Sequence, residues 1–152
     1  MHLTDFFRFW EKLYVMMQLQ KTKGSARMDR YTKTLLYGTV EECQMATDLI
    51  GSIGSTSGRT RECRHVQTYD DLREQLIQWN PSLVIVLANG AAGMEGAFLT
   101  RERRPGAVVF WFSNDKDFGL QAYRLECDYF STKPMTVGKL ERALRTCSHF
   151  GL

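Results

Sequence analysis

The chain has 152 residues, 43% of them hydrophobic and 24% charged, with a net charge of +3. That balance excludes wholesale disorder, and the length suits one domain with a short appendage. The charge is too small to imply direct nucleic-acid binding, and no apolar run reaches the ~18 residues of a membrane-spanning helix. Four scattered cysteines (Cys43, Cys63, Cys127 and Cys147) form no CxxC pair and no zinc spacing with histidine. They read as reduced thiols of a cytoplasmic protein.

Charge divides the chain in two. Residues 1–33 carry seven Lys/Arg against three acids, so the rest of the chain is close to neutral. Residues 3–20 predict a helix, with Leu3, Phe6, Phe7, Trp10, Leu13, Tyr14 and Met17 recurring at steps of three and four. Asp5, Arg8, Glu11 and Lys12 interrupt it too often for a signal peptide. A Lys-Thr-Lys-Gly-Ser-Ala-Arg linker follows, which sets a segment 1–27 apart from a domain 28–152. The helix suits pairing with a second copy ahead of packing on its own domain. Its aromatic face and cationic tail make a membrane surface the third choice. Met28 offers an alternative start beyond this segment.

From Thr34 the pattern alternates between strand and helix. Thr34–Tyr37 predicts a buried strand ended by Gly38, and Val40–Ile53 a helix with Glu41 and Glu42 at its acid-favouring N-terminus. Gly51–Arg61 reads as a Gly/Ser/Thr loop; it lacks the Gly-x-x-x-x-Gly-Lys spacing of a phosphate loop. Glu62–Val66 predicts a polar edge strand, and Tyr69–Trp79 a helix with Leu72, Leu76 and Ile77 inward, stopped at Asn80-Pro81. Leu83–Leu87 and Ala107–Phe112 are continuously apolar, the mark of strands covered on both faces. Between them, Asn89–Gly96 reads as a loop and Glu95–Arg103 as a short helix, with Arg101, Arg103 and Arg104 forming its solvated basic end. Asp115–Glu126 predicts a helix, Asp128–Ser131 a strand, and Thr136–Cys147 a last helix with Leu140, Ala143 and Leu144 inward. This order predicts an α/β fold: a five-stranded parallel sheet with helices on both faces, preceded by the extra N-terminal helix. Any site then lies at the carboxyl ends of the strands.

Residues at those ends carry a resemblance. Val-Val-Phe-Trp-Phe-Ser (108–113), Glu-Cys-Asp-Tyr-Phe-Ser-Thr-Lys-Pro (126–134) and the helix after Met135 stand in an ordered set. Pro-Ser-Leu-Val-Ile-Val-Leu (81–87) precedes Gly-Met-Glu-Gly (93–96). Residues 33–147 thereby resemble the receiver domain of two-component response regulators, with its CheY-like, flavodoxin-like fold. Residues 114–123 are similar to the fourth-helix region of regulators that carry a LytTR output domain. The resemblance makes Ser113 the family's hydroxyl switch residue and Lys133-Pro134 its Lys-Pro, with a cis peptide. In that family an aspartate accepts a phosphoryl group beside Mg²⁺ held by two further acids.

The three acids are missing here. Gly38 and Thr39 stand where the acid pair belongs, and Leu87 or Ala88 where the phosphoacceptor belongs. Glu41 and Glu42 lie too late to replace the pair and read as helix-start acids; Asn89 is an amide, no phosphoryl nucleophile, and reads as a turn residue. Lys133, without its partner carboxylate, is expected to be solvated or bonded to a backbone carbonyl. The resemblance therefore implies a pseudo-receiver, not an enzyme, with no cofactor and no metal. Residues Gly38, Thr39, Leu87, Ala88, Ser113 and Lys133 would form its vestigial pocket. It would act through a regulatory or kinase-like protein partner, or as a homodimer, across the face of the last two helices and fifth strand: Phe118, Tyr123, Leu125, Lys139 and Arg142. No DNA-binding output domain is expected, since the sequence ends five residues after Cys147. The alternative is an anion or small-molecule sensor, or an enzyme, that reuses the pocket around Ser113, Thr39 and Lys133. A receiver phosphorylated at an unorthodox site is the third reading.

Overall fold

The computed structural model describes residues 31–57 and 60–147, and the expected N-terminal helix lies outside the described residues. Strands β1 (Tyr31–Tyr37), β2 (Thr60–Val66), β3 (Leu83–Val86), β4 (Val108–Ser113) and β5 (Tyr129–Thr132) form one sheet in the order β2-β1-β3-β4-β5. Every pairing is parallel. Helices α1 (Val40–Ser57), α2 (Tyr69–Gln78), α3 (Gly90–Arg103), α4 (Gly119–Arg124) and α5 (Val137–Thr146) connect or follow the strands. β3 and β4 are buried at every position, as expected of apolar runs covered on both faces. The polar strand β2 is an edge, also as expected.

Alternation along the strands builds two cores. Leu36, Ile85, Phe110 and Phe112 meet Cys43, Ala46 and Ile50 of α1 and Leu140, Ala143 and Leu144 of α5. Leu35, Val84, Val86, Val109 and Trp111 meet Leu72 and Leu76 of α2, Ala97 and Leu99 of α3, and Ala122 of α4. Helices α2 and α5 have threonine N-caps: Thr68 and Thr136 accept from the N–H groups of Asp71 and Lys139.

Several expectations are overturned. The Gly/Ser stretch after Gly51 is no loop: α1 runs on to Ser57, because Ile53, one turn beyond Ile50, still packs on the core. Asn89–Gly96 is no loop either, since α3 begins at Gly90. Its glycines allow close packing: a Cβ on Gly96 would come within 2.7 Å of the Tyr37 ring. Ile77 is 61% exposed, and Trp79, just past the helix end, is buried in its place. The expected helix 115–126 is a 3-10 turn (Lys116–Phe118) followed by the short α4.

Arg101 is the largest departure. It is no solvated helix end but is fully buried. Nε donates to Leu125 O, Nη1 to Pro105 O and Ala107 O, and Nη2 to Glu126 O and to Asp128 Oδ2 at 2.7 Å. All five guanidinium donors are thus used. Asp128 Oδ2 also accepts from Val109 N at 2.8 Å. One side chain ties the end of α3 to the start of β4 and to the turn before β5.

Candidate functional site

The carboxyl ends of β1, β3, β4 and β5 meet at one end of the sheet, as parallel strands must. Gly38 ends β1 with its N–H on Val66 O at 3.2 Å. It lies so close to β3 that a Cβ there would come 2.8 Å from Leu87 Cβ. Leu87 is 1% exposed, and its N–H donates to Tyr37 O at 2.7 Å. Leu87, one of the two residues that the resemblance sets at the phosphoacceptor position, is thus an alkyl group packed against a glycine.

Lys133 finds two partners. Nζ donates to Leu87 O at 2.6 Å, the carbonyl bond that was one of its expected fates. It also forms an ion pair with Glu42 on the first turn of α1. This second partner is absent from the expected site. Thr39 holds it there: Thr39 Oγ1 accepts from Glu42 N at 3.2 Å and donates to Glu42 Oε1 at 3.0 Å. The Thr39-Val40-Glu41-Glu42 spacing is that of a capping box, a signal in the sequence that would have placed Glu42 at the strand ends.

The remaining residues are engaged as well. Ser113 is buried, and its Oγ accepts from Asp115 N at 3.1 Å. Ala88 O accepts from Trp111 Nε1 at 3.2 Å. Asn89 Oδ1 accepts from Asn114 N at 3.0 Å, which joins the ends of β3 and β4 and leaves α3 without a side-chain cap. The Lys133–Pro134 peptide is cis, as the resemblance implies. Together these contacts assemble Gly38, Thr39, Leu87, Ala88, Ser113 and Lys133 at one place.

These residues do not fit a magnesium ion. Mg²⁺ is held by one or two carboxylates plus phosphate and water oxygens in near-octahedral geometry. Here Gly38, Thr39 and Leu87 supply no carboxylate, and Glu42 is paired with Lys133. Among the described residues no group of three or more His, Cys, Asp or Glu is placed to hold a metal.

Cys43 lies next to Glu42 on α1 and is fully buried. Burial pushes its thiol up to about 11; the Glu42 carboxylate adds to the shift and Lys133 offsets part of it. The folded state therefore holds the thiol proton more tightly than the unfolded chain. The resulting stability is complete below pH about 9 and is lost as pH rises towards 11, up to about 2–3 kcal/mol. Cys43→Ala is expected to lose less stability than the parent between about pH 8 and pH 10.5, read as urea-unfolding free energies. Equal losses would remove Cys43 as a source of the alkaline decline.

The expected interaction face is only partly a surface. Tyr123 is 80% exposed and Arg142 is exposed too. Lys139 donates to Thr132 O and Pro134 O, and Phe118 packs on Trp111 at 5.6 Å between ring centroids. Leu125 does not belong to it: at the end of α4 its side chain turns into the core, and it is 2% exposed. Leu120 and Val137, 55% and 40% exposed, are the apolar surface residues of α4 and α5 that the sequence reading missed.

Among the described residues no helix is long and apolar enough to cross a membrane. No family model and no curated protein matches the sequence. Solved structures do. The chain is similar to a CheY-like receiver domain from Methylobacillus flagellatus, at 15% identity and a TM-score of 0.64, over 77% of this chain and 98% of that one. CheY4 of Vibrio cholerae gives 12% identity and a TM-score of 0.63, over 76% and 97%. A LuxR-family DNA-binding response regulator from Staphylococcus aureus gives 17% identity and a TM-score of 0.63, over 76% and 98%. Strand order, helix placement and these likenesses agree: the chain has the fold of a response-regulator receiver domain, the CheY-like α/β sandwich.

Proposed function

We propose that this chain is a pseudo-receiver: a signalling module that works through protein–protein contacts, without phosphoryl transfer and without enzymatic activity of its own. One observation carries the reading. Lys133 is bound to Leu87 O and to Glu42, at a strand end that offers an alkyl group in place of a nucleophile. Phosphoryl transfer to a receiver needs a carboxylate nucleophile and a cation that offsets the charge developing on the phosphoryl group. This site has no carboxylate at Leu87 and no ligand set for Mg²⁺. The exposed Leu120, Tyr123, Val137 and Arg142 on α4 and α5 are the contact surface for a regulatory protein partner.

Native mass spectrometry of the chain, with Mg²⁺ and a small phosphodonor, tests the reading. The expected result is no phosphoryl adduct. A Mg²⁺-dependent adduct would overturn it and make the protein a working switch.

A further inference from the structure

The β2 edge carries an order of charges that the proposed function does not use. Among the described residues no strand pairs with the far side of β2. Its seven residues run beside β1 in unbroken register, with no bulge, glycine or proline to blunt the edge. Along a strand, successive residues turn their peptide N–H and C=O to opposite neighbours. Val66 O accepts from Gly38 N on the β1 side, so Cys63 and His65 turn their peptide groups to the open edge.

The side chains divide between the two faces. Cys63 packs on the α1 face, where His65 Nε2 lies 2.7 Å from Thr47 Oγ1. Arg64 lies on the α2 face, its guanidinium 4.4 Å from the Trp79 ring centroid, with Nη1 donating to Gln75 Oε1 at 3.0 Å. By alternation Glu62 shares the face of Arg64. Stacking and the glutamine bond hold Arg64 in place before any partner arrives.

We infer that β2 pairs antiparallel with β2 of a second copy of this chain, about a two-fold axis at Cys63. The two sheets become one. In this register Glu62 stands opposite Arg64 of the second copy, and by symmetry this pair forms twice. Arg61 stands opposite His65 of the second copy, and Cys63 opposite itself. The Glu62–Arg64 pairs fall at non-hydrogen-bonded sites, where opposed side chains lie closest. A slide of two residues either way would set Glu62 against Glu62 or Arg64 against Arg64. A slide of one would set Cys63 and His65 against residues whose peptide groups turn to β1, and the ladder could not form. The charges therefore favour one register and oppose its neighbours. A foreign strand would need the complementary order, which this chain already carries. The surface lies at the opposite edge of the sheet from β5 and is independent of the proposed contact face.

Sedimentation velocity of the full chain over a concentration series tests the pairing, with hydrogen exchange read at the amides of Cys63 and His65. A concentration-dependent dimer is expected, with slower exchange at those two amides. Glu62→Arg and Arg64→Glu each turn two attractive pairs into two repulsive ones and should weaken the dimer about tenfold or more. The double variant restores the complementary order with signs exchanged and should recover the dimer to within about threefold. Circular dichroism checks each fold. Should Arg64→Glu unfold through loss of its Trp79 contact, Glu62→Arg and the exchange data still decide. A monomer at every concentration, a dimer indifferent to Glu62→Arg, or protection at amides elsewhere would overturn the inference, as would a folded double variant that stays dissociated.

Discussion

Arg101→Met is expected to lower the unfolding free energy by about 3–5 kcal/mol, a large share of the roughly 5–15 kcal/mol that holds such a domain together. Methionine fills much the same space, so the loss is not mainly a cavity. It comes from what the guanidinium leaves behind: a buried Asp128 carboxylate without its cation, and the carbonyls of Leu125, Pro105, Ala107 and Glu126 without this donor. Lysine keeps the charge but is a point donor with three N–H groups, so Arg101→Lys should recover only part of the loss. Urea denaturation provides the comparison. A methionine variant within about 1 kcal/mol of the parent would mean that the network adds no more than an ordinary hydrogen bond.

Gly93→Ala and Gly51→Ala should have opposite signs although both glycines sit inside helices. Alanine gains about 1 kcal/mol over glycine from helix propensity alone. Gly51 has open space around it, with nothing within 4 Å of an added Cβ, so that gain should appear in full. At Gly93 the Cβ would come 2.2 Å from Ala88 O and 2.6 Å from Trp111 Nε1. It would drive into the hydrogen bond that joins those two groups. Overpacking of this kind costs about 1–3 kcal/mol or more, and the clashing atoms are a backbone oxygen and a wedged indole, neither free to yield. A net loss of at least about 1–2 kcal/mol is expected, with a shift in tryptophan fluorescence. A stabilised Gly93→Ala would mean that α3 stands further from the sheet than described.

The strands were legible because their signal is local. Leu83–Val86 and Val108–Ser113 announce double-sided burial by composition, and β2 announces an edge by its polarity. Leu72 and Leu76, one turn apart, define the inward stripe of α2, whereas Ile77 lies about 100° further round and faces water. The gathering of Gly38, Thr39, Leu87, Ser113 and Lys133 also followed from the sequence, since parallel strands bring their carboxyl ends together. Glu42 was legible in principle through its capping box with Thr39.

The tertiary structure alone decided the rest. The glycines of α3 resemble a loop in sequence. They form a helix because Trp111 and Tyr37, distant in the chain, leave no room for side chains between helix and sheet. Arg101 looks like one of three solvated arginines. It is buried because Asp128, 27 positions away, and the turn before β5 close around it. Lys133 could not be matched to Glu42 by spacing, since the pair exists only where β5 and the start of α1 converge. The sequence by itself determined the doubly covered strands, their parallel character and the residue types at the strand ends, because period and residue type act locally. Which charges pair, which glycines are contacts and which arginine is buried were decided only when the sheet closed, because those energies depend on neighbours the chain supplies from far away.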